Sequence, residues 1–493
     1  MVAPTAEPVP AARRLRPAAS RPPRTLSRAV RPAPILPRDA PRPRAARRGE
    51  TSNGEWWSRE VSTRHRTSAF APFGQRSFRF LWPADLATSW AFEMETLILG
   101  WYVLVETGSV VWLTVFAALQ SFGTLISPAF GLMGDRIGHR NLLCGMRAVY
   151  AFLASGLTLL ALTDSLGPAQ VIVAAALSGM VRPSDMGMRN ALIGATMPPG
   201  LLMGALSIER TSSDMARVAG ALTGAGLVAL LGMGHAYLAL TGLYLVSLIL
   251  TLCVGGEAQS RKAGEARTPA IASAWRDLGD GFAHVWASPP LLAALCLAFL
   301  ANLAAYPLSG GLLPYVARDV YGIDRTGLSY LVASFAGGAL AGSLVLGVWG
   351  GRLRPGRTMV VAVLLWFALL LVFSRLQNAA AGMVVLALAG CVQSFCMVPM
   401  AALLLRVSRD AYRGRVMGLR VLAVYGMPLG LLAAGPLVGS MGFTDAATLY
   451  AGGGLMLALA IVLLWRAHLW PRAAPANAPV VVADPSEPRH PAR

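Results

Sequence analysis

The sequence predicts an all-α membrane protein, with twelve transmembrane helices in two pseudo-symmetric six-helix bundles. Three observations lead there. Only 14% of the 493 residues are charged and 55% are hydrophobic, where a soluble domain carries roughly a quarter charged. Apolar runs of about 20 residues, the length that crosses a hydrocarbon core, recur from Phe78 to Arg466. The gaps between these runs alternate between arginine-rich and arginine-poor, as expected when basic loops stay on one side of a bilayer.

Residues 1–77 are rich in Ala, Pro and Arg and lack a periodic apolar pattern, so they are expected to form a disordered basic tail. Three readings of this tail remain open. It is a basic segment touching anionic lipid headgroups, an Arg-rich organelle transit peptide, or an over-extended reading frame, since no Met falls between Met1 and Met94. Apolar runs then place spans at 78–104, 109–133, 142–163, 168–188, 203–231 and 235–255, a first bundle over 78–255. A polar central loop, 256–289, is assigned to the cytoplasm. The second bundle, 290–466, has spans at 290–313, 327–350, 358–374, 379–405, 416–441 and 445–466. Residues 467–493 read as a second disordered cytoplasmic tail.

One set of loops holds Arg136 and Arg140; Arg182 and Arg189; Arg261 and Lys262; Arg352, Arg354 and Arg357; Arg406, Arg409, Arg413 and Arg415. The opposite loops hold Arg318, Arg325 and Arg375. The alternation predicts a multi-pass protein of the cell (inner) membrane with both termini in the cytoplasm. It also disposes of the function class that a net charge of +19 suggests. These cations mark topology, and no nucleic acid is expected as a partner. The five cysteines lie inside apolar runs, and the six histidines are scattered over tails and loops, so no metal or cofactor is expected. No Gly-Lys-Ser/Thr nucleotide loop appears, which argues against direct ATP drive.

Local patterns repeat at offsets of 214 to 216 residues. The stretch Gly131 to Arg136 aligns with Gly347 to Arg352, Ala219 to Gly224 with Ala434 to Gly439, and Met203-Gly204 with Met417-Gly418. This is the mark of parallel duplicated halves.

The sharpest motif runs from Gly131 through Gly134, Asp135, Arg136, Gly138 and Arg140 in the turn after span two. Gly134 and Gly138 suit a tight connection and close helix approach. The motif resembles the loop signature of the major facilitator superfamily, with His139 where a basic residue is usual and Gly351 replacing the acid in the second copy. The resemblance implies a cytoplasmic gate latch centred on Asp135; a tight turn obeying charge topology is the plainer alternative. Phe78 to Trp82, Thr107-Gly108-Ser109, Arg182-Pro183, Met197-Pro198, Ala216 to Gly220, Arg413 to Met417 and Gly435-Pro436 resemble the enterobactin-exporter and transmembrane secretion effector branch. That branch usually has Gly-Pro where Gly220-Ala221 stands. Proton-coupled drug exporters often carry an arginine inside span four, and here Arg182 is read at the cytoplasmic end of that span.

Ionisable residues inside spans are costly and so point to function. Asp85, Glu93 and Glu95 sit in span one, with Glu93 about 22 Å along the helix from Phe78. Glu93 and Glu95 point about 200° apart and cannot face one cavity. One of the three acids is expected to couple transport to protons or to bind a cationic part of the substrate, unless it is a neutral, hydrogen-bonded packing group. Arg210 and Asp214 lie four apart and can pair. Arg217 fits a gate salt bridge or a cavity wall, with the gate preferred, and Arg147 is expected to partner Asp135 or Asp214. Gln120, Asn302, Tyr306 and Gln393 are cavity candidates or interhelical hydrogen-bonding groups. The expected function is a monomeric secondary transporter, exporting a small hydrophobic or siderophore-like substrate against protons across the lipid bilayer. An importer, a membrane-embedded enzyme and a transport-dead sensor are the alternatives.

Overall fold

The computed structural model describes residues 71–255, 279, 282–349, 353–408 and 412–470. Most of the predicted tails and central loop, with Arg261, Lys262, Arg352 and Arg409, lies outside the described residues, as do the side chains of Asp135 and Arg413. Among the described residues there is no strand.

The first described element precedes the expected first span. Ala71–Gly74 forms a 3-10 turn, and Phe73 meets Phe78 and Trp82 edge-on at 5.1 and 5.2 Å. Helix α1, Arg76–Thr107, ends on Gly108 in the left-handed conformation. Span two is broken into α2, Val110–Leu119, a 3-10 turn at Phe122–Leu125, and α3, Ser127–Ile137. Gly138, at φ 92°, turns the chain sharply into α4, His139–Leu162. Helix α5, Pro168–Thr196, is longer than the predicted span four. Helix α6, Pro199–Leu252, contains one non-helical residue, Gly232 (φ 78°, ψ 175°).

Gly232 divides α6 into two arms of opposite sense, as their partners on α1 show. Trp82 bonds Ser212 and Trp90 bonds Thr223, so the first arm ascends with α1. Thr88 bonds Ser247 and Glu95 bonds Tyr244, so the second arm descends. Spans five and six are therefore one hairpin pivoting on a glycine, because only a residue without Cβ takes that backbone conformation at little cost.

In the second bundle α7, Pro289–Leu300, continues through π-helical turns at Ala301–Ala305 and Pro307–Gly311, a short α8 at Leu313–Tyr315, and a third π turn at Val316–Val320. Span seven thus runs past its expected end at 313. There follow α9, Arg325–Trp349; α10, Pro355–Phe373; and α11, Ala379–Val407. Span eleven is broken like span two, into α12, Arg413–Ala423, and α13, Gly426–Met441. Helix α14, Phe443–Leu464, and a final turn α15, Arg466–Leu469, complete the chain described.

Two apolar cores form. One draws on residues 78 to 254, the other on 285 to 469 with Leu97, Val110, Ala221 and Ala225 reaching in from the first bundle. Glycines allow the tightest crossings. Gly338 and Gly342 of α9 lie against Ala387 and Cys391 of α11, so the span-eight glycines are helix contacts, as their small size predicts. Outside, large apolar side chains are bare: Leu230 is 84% exposed, Val348 78% and Phe152 77%. Apolar surface of this extent is sustained by lipid rather than water. Among the described residues, eight helices are long and apolar enough to cross a membrane by themselves. Helices α1 and α5 fall short because they carry buried charges, and those charges build the site.

Candidate functional site

The turns at Gly108, Gly232, Gly322 and Gly442 lie at one end of the bundles, and that at Gly138 lies at the other. At the Gly108 end the bundles are joined. Helix α2 packs along α13, with Gly435 against Val111 and Thr114. The Arg318 guanidinium donates to the Leu104 carbonyl at 2.7 Å. At the break in span two, the Tyr425 hydroxyl of the second bundle donates to the Phe122 carbonyl at 2.8 Å. Between the two ends lies a cavity of about 530 Å³, bordered by Glu93, Thr96, Gln120, Arg182, Arg210, Arg217, Tyr306 and Gln393 among others. A second chamber of about 240 Å³ shares Arg210, Arg217, Tyr306 and Gln393 with it and adds Asp214, Asn302 and Arg420.

The breaks in spans two, seven and eleven create this space. Gln120, Ser121 and Thr124 face it from the interrupted span two, and Val424 and Met427 from span eleven. The π turns of span seven present Tyr306, Ser309, Gly310 and Gly311. The Gln393 amide donates to the Tyr306 hydroxyl, while the Tyr306 ring stands edge-on to the buried Trp366 at 5.2 Å. Asn302 donates to its own-helix carbonyl of Ala298 at 2.8 Å. All four cavity candidates border one or both chambers.

The three acids of span one separate. Glu93 faces the cavity and pairs with Arg217 at 3.4 Å, the side chains 26% and 33% exposed. Arg217 therefore stands in the cavity wall rather than at the gate where it was expected, because Gly220, one turn on, lets α6 approach α1. A Cβ there would come within 2.7 Å of the Glu93 Cβ and 2.9 Å of the Trp90 carbonyl. Glu95 turns away, accepting from the Tyr244 hydroxyl at 2.7 Å. Asp85 is wholly buried and holds Arg147, which also donates to Thr251. The expected partners of Arg147 are corrected accordingly. Among the described residues its carboxylate partner is Asp85 and not Asp214, because it points into the core of its own bundle. Asp214 instead takes Arg210, four residues before it, at 3.3 Å.

Arg182 and Arg189 are the largest correction. They are not loop cations, since α5 carries both inside the bundle. Arg189 binds Asp185 at 2.6 Å and Glu209 at 3.2 Å. Arg182 donates to Thr96 at 3.0 Å and to Gln120, and lies 4.5 Å over the Phe92 ring. Their charges escape the usual penalty because each is hydrogen-bonded, so the hydropathy of 182–196 misled. The Asp185–Arg189 spacing of four residues was the available signal. For the seven-turn irregularity it was Pro307, Gly310-Gly311 and Pro314.

In the loop motif, Gly134 lies where a Cβ would meet the Met188 sulfur at 2.9 Å, so it serves close packing of α3 on α5. Gly131 has no neighbour within 4 Å of a Cβ. Arg136 is exposed, and Arg140 donates to the Leu252 carbonyl, tying α4 to the end of α6. Among the described residues no group of three or more His, Cys, Asp or Glu is placed to hold a metal ion.

The architecture is the major facilitator fold. The sequence profile described as Major Facilitator Superfamily matches residues 295–490. Among solved structures the chain is similar to the nucleoside transporter NupG, at 12% identity and a TM-score of 0.63, covering 79% of this chain and 99% of that one. It is similar to a D-xylose–proton symporter, at 12% identity and TM-score 0.61, covering 78% and 96%. It is also similar to the E. coli fucose:proton symporter, at 14% and 0.53, covering 79% and 98%. No curated protein matches the chain.

Proposed function

We propose that the protein is a secondary active transporter of the major facilitator superfamily, working by alternating access. The cavity between the bundles carries this reading, with the α2–α13 packing and the Arg318–Leu104 bond joining the bundles at its Gly108 end. Arg136, Arg140, Arg354, Arg357, Arg406 and Arg415 gather at the Gly138 end, against Arg318, Arg325 and Arg375 opposite. By charge topology the first set faces the cytosol of a cell inner membrane, with both termini on that side. The cavity is then open inward, and the protein functions as a monomer around a single cleft.

The transported species is a small hydrophobic or siderophore-like molecule leaving the cell in exchange for protons. Arg182 inside span four supports coupling, since proton-driven exporters often carry an arginine there. Glu93 is the coupling acid, because of the four carboxylates in α1 it alone borders the cavity, where its tie to Arg217 is exchangeable with solvent. Asp135 latches the cytoplasmic ends when the cleft closes. Import is the second reading, favoured by the symporters among similar structures. A panel of small molecules in proteoliposomes under an imposed pH gradient tests both, and the sign of flux chooses between them. Gradient-independent leakage equal to that of empty liposomes for every compound would end the transport reading. With any transported compound, Glu93→Gln should remove the gradient dependence while Glu95→Gln keeps it.

A further inference from the structure

The charges that a bound molecule would touch do not cancel. The two joined chambers present four guanidiniums, Arg182, Arg210, Arg217 and Arg420, and two carboxylates, Glu93 and Asp214. Both carboxylates are already engaged: Glu93 by Arg217 and Asp214 by Arg210. That leaves Arg182 in the first bundle, whose oxygen partners are the neutral groups of Thr96 and Gln120, and Arg420 in the second. No carboxylate pairs with Arg420 among the described residues. Glu95, the acid behind Arg182, is tied to Tyr244 and does not border the cavity. Counting it still leaves one cation in excess. A cation facing a low-dielectric cleft without an anion is unfavourable, and the surplus of cations over carboxylates in the joined chambers suits an anionic ligand.

The rest of the wall describes the body of that anion. Leu97, Leu113, Phe116, Leu313, Val332 and Phe335 border the larger chamber, an apolar surface wide enough for an aromatic or branched skeleton. We propose that the cavity binds an amphipathic organic anion, its carboxylate, sulfonate or phosphate group held at Arg420 in the smaller chamber and its apolar body lying in the larger one, past the Arg210, Arg217, Tyr306 and Gln393 that border both. This reverses the expectation that an acid of span one seeks a cationic substrate. Glu93 already has Arg217 as its counter-ion. The proposal names the substrate class of the transporter reading and rests on it for what binding accomplishes, but not for whether binding occurs.

The test is calorimetric titration of the full chain in neutral detergent with three probes of one shape: 2-naphthoate, 2-naphthamide and 2-naphthylmethylammonium. Naphthoate should bind about tenfold or more tighter than the amide, the size expected of one added charge-assisted hydrogen bond, and the ammonium most weakly. Arg420→Gln should weaken naphthoate by about tenfold and leave the amide unchanged, and Arg420→Lys should restore part of the loss, which a merely misfolded variant would not. Equal binding of acid and amide, preference for the ammonium, no saturable naphthoate binding, or indifference of naphthoate to Arg420→Gln would each overturn the proposal. Naphthoate should also resist displacement by phosphatidylglycerol; full displacement would reassign the site to a lipid headgroup and remove the small-molecule anion. Proton-driven flux of the amide without preference for the acid would leave the transporter standing and this inference fallen.

Discussion

Arg147 and Asp85 form an ion pair with both side chains at zero exposure, deep in the first bundle. They do not stand alone. Asp185, Arg189 and Glu209 are buried with them, three acids to two arginines. Each acid keeps one oxygen without a protein partner: Asp85 Oδ2, Asp185 Oδ1 and Glu209 Oε2.

Removing a cation from such a group leaves a carboxylate buried and unpaired, which costs about 3–5 kcal/mol. Arg147→Met is therefore expected to lower thermal stability in detergent steeply. The double variant Arg147→Met with Asp85→Leu should recover most of the loss, since both charges go together. A double variant no more stable than the single would show that the pair is not the source.

The α1–α6 crossing gives a second prediction. Gly220→Val forces a side chain into the Trp90 carbonyl and the Glu93 Cβ, and overpacking of that kind costs about 1–3 kcal/mol. Gly226 in the same arm has nothing within 4 Å, so Gly226→Val should be tolerated. Equal melting shifts for the two variants would contradict the crossing geometry.

These two places also show what the sequence revealed and what it hid. Glycines at a fixed offset and the apolar runs disclosed the fold, because lipid imposes length and composition on every span. Asp85, Glu93 and Glu95 were legible as acids within a span, but not that Glu93 is the one of the three that borders the cavity. Arg182 was not, because a hydropathy reading treats any arginine as a span boundary and cannot see Gln120 and Thr96 across the bundle. Arg147 found its acid 62 residues earlier in the chain, a pairing that only the packing of α4 against the rest of its bundle determines. Arg420 had no local signature at all; that no carboxylate pairs with it among the described residues is a property of the assembled cleft.

The seal at the Gly108 end rests on few polar contacts. The Arg318 guanidinium on the Leu104 carbonyl is a charge-assisted bond worth about 1.5–3 kcal/mol. Arg318→Ala should shift the balance toward opening at that end by about tenfold or more. A cysteine placed at Ser309 and probed with an impermeant thiol reagent added from that side should label correspondingly faster. Unchanged labelling would mean that the α2–α13 packing alone holds the seal.

The Gln393 amide and the Tyr306 hydroxyl brace the cavity floor within the second bundle. Tyr306→Phe removes the acceptor but keeps the ring on Trp366. The expected result is a melting temperature changed by little, since a hydrogen bond nets about 0.5–1.5 kcal/mol, together with weaker probe binding in the calorimetric titration. Loss of folding instead of binding would assign the pair a purely structural part.

Span seven carries three π turns in succession around Tyr306 and Gly310. A π turn holds its residues in i→i+5 bonds, a wider coil than the i→i+4 ladder on either side. Rewinding one such turn to the ordinary ladder rotates everything beyond it by about 100° per residue displaced. The residues beyond the turn would then present other side chains to the chamber without any shift of the bundle axes. The helix carries slack of its own, so the shape of the chamber can be re-tailored to its occupant by screw motion inside a single span.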